Sequence, residues 1–349
     1  MAAEQQPLLP PRPQPPSRAQ PLPLLSVRGL RVAIGGAEAV RGLSFDVSEG
    51  DVLALVGESG AGKSLTARAL LGMGPRGATV GGGIRLRTAG GATELVGARP
   101  DTLRALWGRR MALVPQDALS ALSPVHPVGD QLAAAVRSVQ RLSRKDARAK
   151  AALALERVGI PAARTGAYPH ELSGGMRQRA VIAMATVNDP ELVVADEPTT
   201  ALDPDLRHQV LHALGEHREA TGAALVLVTH DLEAVREHAD RVLVMYAGGH
   251  VESGPVARVF DRPRAPYTAG LLASLTPTER GRRLPAISGA PPPLGALPAG
   301  CAFAPRCPLT EGRCRTERPA PRSVDGREVS CHRWDAVPAS AAELFRERV

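Results

Sequence analysis

The residues best placed to do chemistry are eight in a row, Gly57-Glu58-Ser59-Gly60-Ala61-Gly62-Lys63-Ser64. They fit Gly-x4-Gly-Lys-[Ser/Thr], with an apolar run before them (residues 52–56) and a helical run after (residues 65–73). In that context the pattern grips phosphate. The glycines let backbone N–H groups turn inward around the β- and γ-phosphates of a nucleotide. The helix that begins at Leu65 adds partial positive charge at its N-terminus. Lys63 brings a point charge to the phosphates, and Ser64 brings a hydroxyl for Mg2+.

Two adjacent acids follow much later, at the end of the apolar run 192–195. Asp196 stands at the C-terminal end of an expected strand, where parallel sheets bind ligands, and can hold Mg2+ through a water. Glu197 points differently and can polarise a water against the γ-phosphate as a general base. His230 closes the run 225–228, and Gln116 follows the run 111–114. The first can reach the γ-phosphate; the second can accept Mg2+ and touch the attacking water. Taken singly, each has an ordinary reading as a cap or a surface group. The upstream phosphate loop is what makes them a set.

Leu-Ser-Gly-Gly-Met-Arg-Gln-Arg, residues 172–179, looks like a second phosphate grip. Ser173, Gly174 and Gly175 lie before a helix that carries Arg177 and Arg179. A serine at a helix start with exposed N–H groups is an anion site, and its alternative is an ordinary capped helix.

The elements that must position these residues can be read from texture. Five short apolar runs (52–56, 111–114, 192–195, 225–228 and 242–245) suit strands covered on both faces. Between them lie helical stretches such as 143–158 and 205–220, so the sheet is expected to be mainly parallel with right-handed crossovers. Residues 26–45 alternate instead, with Gly35-Gly36 as a turn, and predict antiparallel strands leading into that core. Residues 1–23 are too rich in proline for helix or sheet and predict a disordered tail. Proline and glycine rise again after residue 261. The chain of 349 residues is 44% apolar with a formal charge of +8. It shows neither a bilayer-spanning run nor a secretory signal. Aromatic content of only 3% weighs against single-strand or RNA binding.

In order, residues 57–64, Gln116, 172–175, Asp196-Glu197, Asp203 and His230 resemble the nucleotide-binding subunit of an ABC transporter, over residues 24 to 260. The stretches "VPQDALSALSPVHPVGDQL", "VMYAGGHVESGP" and "APYTAGLLASL", with the tail "LPAGCAFAPRCPLTEGRC…CHRW", are similar to the ATPase subunits of bacterial dipeptide and oligopeptide importers. The resemblance implies an α/β P-loop domain at 24–260. Its mainly parallel sheet would be joined by an antiparallel β subdomain and a helical subdomain, and followed by a loop-rich extension at 261–349. It implies ATP held by residues 57–65, Asp196 and Asp203, with Mg2+ on Ser64, Gln116 and Asp196. Glu197 would be the catalytic base and His230 the γ-phosphate switch, while Gln116 would link the site to a membrane partner. Ser173, Gly174 and Gly175 would close on ATP held by a second ATPase subunit, identical or homologous. Two transmembrane permease subunits would complete the machine, with an extracytoplasmic substrate-binding protein reached through them. The location implied is peripheral, at the cytoplasmic face of the inner membrane, and the work is uptake of peptides or similar small solutes. Nickel importers use related ATPases. Soluble ABC ATPases acting on nucleic acid form another class, but they carry paired domains or coiled coils, so no nucleic acid is expected here. Two positions depart from the family pattern. Ile34 stands where an adenine-stacking aromatic is usual, and Thr200 where serine is commoner.

Four cysteines, Cys301, Cys307, Cys314 and Cys331, fall in one C-terminal window with spacing C-x5-C-x6-C-x16-C. Disulfides are disfavoured in a reducing compartment. Metal ligation fits better, although the C-x2-C of zinc sites is missing. Iron–sulfur clusters also take four thiolates, at varied spacing. The resemblance implies a [4Fe–4S] cluster, with zinc as the alternative and free thiols third.

Overall fold

The computed structural model describes residues 22–200, 202–274, 286–338 and 341–345. The expected tail at 1–23 lies almost wholly outside the described residues. The chain enters a long antiparallel hairpin, β1 (Leu25–Ile34) and β2 (Ala37–Val47), turning at Gly35-Gly36 as expected. One face of each strand is buried and the other open, which is why the sequence alternates there. β3 (Val52–Val56) then drops into the centre of a second sheet, and every residue of it is buried. α1 (Lys63–Leu70) leaves the phosphate loop.

Next come β4 (Ala78–Thr88) and β5 (Gly91–Glu94), which complete a four-stranded sheet in the order β2-β1-β4-β5. Neither strand was expected, because the glycines at 81–83 and 90–91 mask a strand signal that β-branched residues usually carry. α2 (Pro100–Leu106) leads to β6 (Met111–Val114). A helical layer follows: α3 (Ala118–Ala121), α4 (Val128–Val139), α5 (Arg144–Arg157) and α6 (Gly174–Thr186). The chain re-enters the sheet as β7 (Leu192–Asp196), crosses over α7 (Pro204–Thr221) to β8 (Ala224–Val228), and over α8 (Leu232–His238) to β9 (Arg241–Tyr246). The five expected core strands pair in parallel, in the order β9-β3-β8-β7-β6. Their residues divide among three cores. One lies against the antiparallel sheet and α1. A second lies under α4 to α7. A third joins Ala54, Val56, Val242, Val244 and Tyr246 to Leu232, Phe260, Tyr267 and Phe303.

Beyond β9 the sheet continues in antiparallel fashion. β10 (Gly249–Pro255) pairs with β9. α9 (Val256–Asp261), α10 (Pro266–Ala273) and α11 (Gly312–Thr316) follow, and then β11 (Arg322–Val324) and β12 (Arg327–Val329) return to pair beside β10. A short α12 (Ala341–Phe345) ends the described chain. Glu252 of β10, with no exposed surface, accepts hydrogen bonds from the N–H groups of Arg264 and Ala265 at 3.0 Å each. It also pairs with Arg327 of β12 at 3.3 Å. Among the described residues, no helix is long and apolar enough to cross a membrane.

Candidate active site

Four neighbouring parallel strands, β3, β8, β7 and β6, deliver their C-terminal ends to one edge of the sheet, and every strand-end residue singled out in the sequence lies there. β3 releases the loop at 57–64. Gly57 and Gly62 both have positive φ, and a Cβ on them would run into the backbone oxygens of Met245 and Ala39. The loop therefore packs against β9 and β2 so closely that only glycine fits. Ala61 is tied down further, because its carbonyl accepts from Gly248 N–H at 3.1 Å. Lys63 is 5% exposed, and its Nζ donates to the carbonyls of Gly57 (2.8 Å) and Glu58 (3.1 Å). Burial lowers its pKa, while Glu197, Asp196 and Glu58 oppose that shift.

Ser64 and Asp196 meet across 132 residues of sequence, Oγ donating to Oδ1 at 2.8 Å. Asp196 is 3% exposed, and burial raises its pKa against the Ser64 hydrogen bond and nearby Arg68. A hydroxyl and a buried carboxylate in contact beside a lysine form the donor set that Mg2+ on a polyphosphate requires, so these residues fit the ion. The next residue is held differently. Glu197 has φ +47°, in the left-handed region that few non-glycine residues occupy, and its N–H donates to Val228 O at 2.9 Å. That twist turns its carboxylate away from Asp196 and into a ring of polar groups. Gln116 Nε2 donates to it at 3.2 Å and Thr200 Oγ1 at 2.8 Å, with His230 Nδ1 3.6 Å away. Strain at this one residue is what separates the two acids, one toward Ser64 and the other toward Gln116 and His230.

Ser173, Gly174 and Gly175 open α6. Ser173 accepts from Met176 N–H at 3.2 Å as an N-cap, and it and Gly174 are exposed. Arg179 does not serve that end of the helix. It donates to the carbonyls of Val158 and Gly159, where it closes the C-terminus of α5. Asp203 is likewise exposed and caps α7, accepting from Leu206 N–H at 2.9 Å. Ile34 lies at the open end of β1, 42% exposed.

The four cysteines, whose outermost members are 30 positions apart, come together around one pocket and form no disulfide. Cys301 N–H donates to the Cys314 carbonyl at 2.8 Å, and Arg333 N–H donates to Cys331 Sγ at 3.3 Å. Burial pushes the thiols of Cys307 and Cys331 up to about 12, with the neighbouring thiols adding to the effect. A cation among them would reverse that shift. Among the described residues, the only three metal-binding side chains with ligand atoms all within 4.8 Å of one another are His208, Glu237 and His238. No three of the sulfurs are therefore that close. A single zinc ion with sulfur at 2.3 Å would need them within about 4.6 Å.

This geometry has relatives. The family described as ABC transporter matches residues 40–200, and the one described as oligopeptide/dipeptide transporter, C-terminal region, matches residues 251–314. A Brucella melitensis protein named for peptide import and ATP binding is 43% identical over 334 residues, covering 91% of this chain and 99% of its own. The chain belongs to the ATP-binding proteins of the ABC peptide importers. The oligopeptide transport ATP-binding protein OppD of Mycobacterium tuberculosis is 46% identical over 335 residues and 93% of this chain, but the match spans only 54% of that relative's length. The chain thus corresponds to about half of the mycobacterial protein. In three dimensions, the ATP-binding cassette MJ0796, in a dimeric post-hydrolysis state bound to ADP and Pi, superposes with a TM-score of 0.60 at 22% identity. It covers 66% of this chain and 98% of its own, which identifies the fold.

One group of residues around this importer-family site had not been singled out in the sequence. Glu58 is met by Arg306, 248 residues away, and by Tyr267, 209 residues away. No local pattern marks such partners. The only available signal was that an acid inside a phosphate loop needs a cation nearby.

Proposed function

We propose that the chain is the ATP-hydrolysing subunit of a peptide importer, and the meeting of Ser64 with Asp196 beside Gln116, Glu197 and His230 carries this reading. Lys63 and the loop N–H groups bind the phosphates. Ser64 and Asp196 would hold Mg2+, which would supply positive charge to the bound phosphates. Glu197, positioned by Gln116 and Thr200, takes the proton of the attacking water. His230 then stands on the γ-phosphate side of the same carboxylate. Ser173 and Gly174 are exposed at the start of α6, and among the described contacts no hydrogen bond ties them to the loop at 57–64, which supports closure on ATP held by a second ATPase subunit. Asp203, exposed at the start of α7, belongs to that same shared face. Loss of γ-phosphate then removes the bridge and the pair opens, a two-state element that can drive two permease subunits. Such a chain sits peripherally on the cytoplasmic face of the inner membrane and meets the extracytoplasmic binding protein only through the permeases. The names of its relatives support peptides as cargo.

The cysteine pocket is proposed to hold a [4Fe–4S] cluster ahead of zinc. The four thiols lining one pocket and the N–H donor to Cys331 both support it. Its four thiolates would clamp residues 301–331 together.

The decisive experiment is reconstitution of the chain with its co-purifying permeases in vesicles. Peptide uptake should require ATP and this chain. Hydrolysis with no uptake of any di- or oligopeptide would overturn the cargo, and no hydrolysis at all would overturn the enzyme. Iron, sulfide and zinc assays on anaerobically purified protein decide the metal.

A further inference from the structure

The loop between Cys301 and Cys307 reaches the phosphate loop directly. Arg306 lies on that loop, and its side chain is 7% exposed. All five of its N–H bonds find acceptors. Nη1 donates to Glu58 Oε2 (2.7 Å) and to the Tyr246 hydroxyl (3.1 Å). Nη2 donates to Glu58 Oε1 and to the Gly289 carbonyl (3.0 Å each), and Nε donates to the Ser288 carbonyl (2.9 Å). The pair with Glu58 is bidentate, the geometry in which arginine holds a carboxylate most firmly. Tyr246, Tyr267 and Phe303 pack beside it in tilted and edge-to-face contact, with ring centres 4.6 to 5.3 Å apart. The Tyr267 hydroxyl accepts the Glu58 N–H at 2.8 Å. The Glu58 carbonyl in turn accepts from Lys63 Nζ at 3.1 Å. A continuous set of contacts therefore runs from the cysteine loop through Glu58 to the phosphate-binding lysine.

The charge arithmetic explains why the contact matters. Glu58 is an anion inside a loop whose task is to receive a polyanion. Left unpaired, it would repel the phosphates and draw Lys63 toward itself. Paired with Arg306, its charge is masked and its backbone is fixed by Tyr267. We propose that Arg306 is a positioning residue of the phosphate loop, and that through it the occupancy of the cysteine pocket sets the affinity for ATP. The coupling rests on the proposed ATP and cluster sites, and it assigns to the C-terminal extension a role in nucleotide binding as well as in structure.

The test uses the full chain in its assembled transporter, purified anaerobically. Affinity is read with a fluorescent ATP analogue and Mg2+, alongside KM and kcat for ATP. Arg306→Met should weaken binding about tenfold and raise KM, with a much smaller change in kcat. Adding Glu58→Gln to Arg306→Met should bring affinity back to within about threefold of the unaltered protein, because the unmasked charge is then gone. A merely structural arginine would show no such rescue. Removing iron with bipyridyl under reducing conditions should weaken ATP binding in the unaltered protein and leave the Glu58→Gln/Arg306→Met variant unmoved. The proposal is overturned if Arg306→Met binds ATP normally, if the second substitution fails to rescue, or if stripping weakens both proteins alike. Lys63→Ala serves as the control. If it too binds ATP normally, the nucleotide site itself is misassigned; if it fails to bind while Arg306→Met binds well, only the coupling falls.

Discussion

At the residue scale, two neighbouring acids meet different partners across one left-handed backbone torsion. Asp196 continues β7 and meets Ser64, whereas Glu197 turns through positive φ to meet Gln116 and Thr200. Glu197→Gln preserves the shape and the hydrogen bonds but removes the proposed base. It should keep ATP affinity and lose turnover by roughly 10³-fold or more, the scale of a lost positioning or charge group in phosphoryl transfer. Single-turnover hydrolysis beside nucleotide binding checks this, and turnover near normal would rule out the base. Lys63→Ala should behave in the opposite way, because the buried ammonium is the only side-chain cation hydrogen-bonded to the loop carbonyls among the described contacts. Its ATP affinity should fall by more than tenfold in the same binding assay.

At the element scale, β12 is secured to the sheet by a buried ion pair. Arg327→Met would leave Glu252 buried without its cation. That costs about 3 kcal/mol in comparable cases, although two backbone N–H groups remain to soften the loss. Urea unfolding should show the destabilisation, and an unchanged midpoint would mean the pair contributes nothing. α7 carries a second liability. Burial lowers the pKa of His217, and its Nε2 is buried with no partner. The unfolded chain takes up that proton near its ordinary pKa of 6.5, and the folded chain only at lower pH. Stability is therefore present above pH 6.5 and drains away as pH falls through the folded value. Unfolding midpoints compared at pH 7.5 and 5.5 should show a smaller drop in His217→Gln than in the unaltered protein.

At the scale of the whole molecule, the exposed start of α6 and the exposed cap of α7 are functional surfaces only if another subunit covers them. Ser173→Arg should therefore leave ATP binding by the isolated chain near normal. It should abolish ATP-driven closure and hydrolysis once the two ATPase subunits are paired. Light scattering with ATP and the Glu197→Gln background would show the closed pair, and its persistence in the Ser173→Arg variant would remove α6 from the interface. Residues 301–331 act at this same scale, since they join the sheet edge to the back of the phosphate loop.

Much of this was legible in the linear chain. Continuous apolar runs had to become covered strands, and a glycine-lysine loop between strand and helix had to grip phosphate, because both depend on neighbours within a few residues. Gln116, Asp196, Glu197 and His230 could be placed at strand ends by the same local logic. Tertiary structure alone decided the order of the strands, the antiparallel partners β4 and β5 behind their glycines, and the meeting of Glu197 with Thr200. It alone brought Arg306 onto Glu58. Most of those outcomes depend on contacts between residues tens to hundreds of positions apart, whose energies come from burial and charge pairing and leave no periodic trace in the order of amino acids.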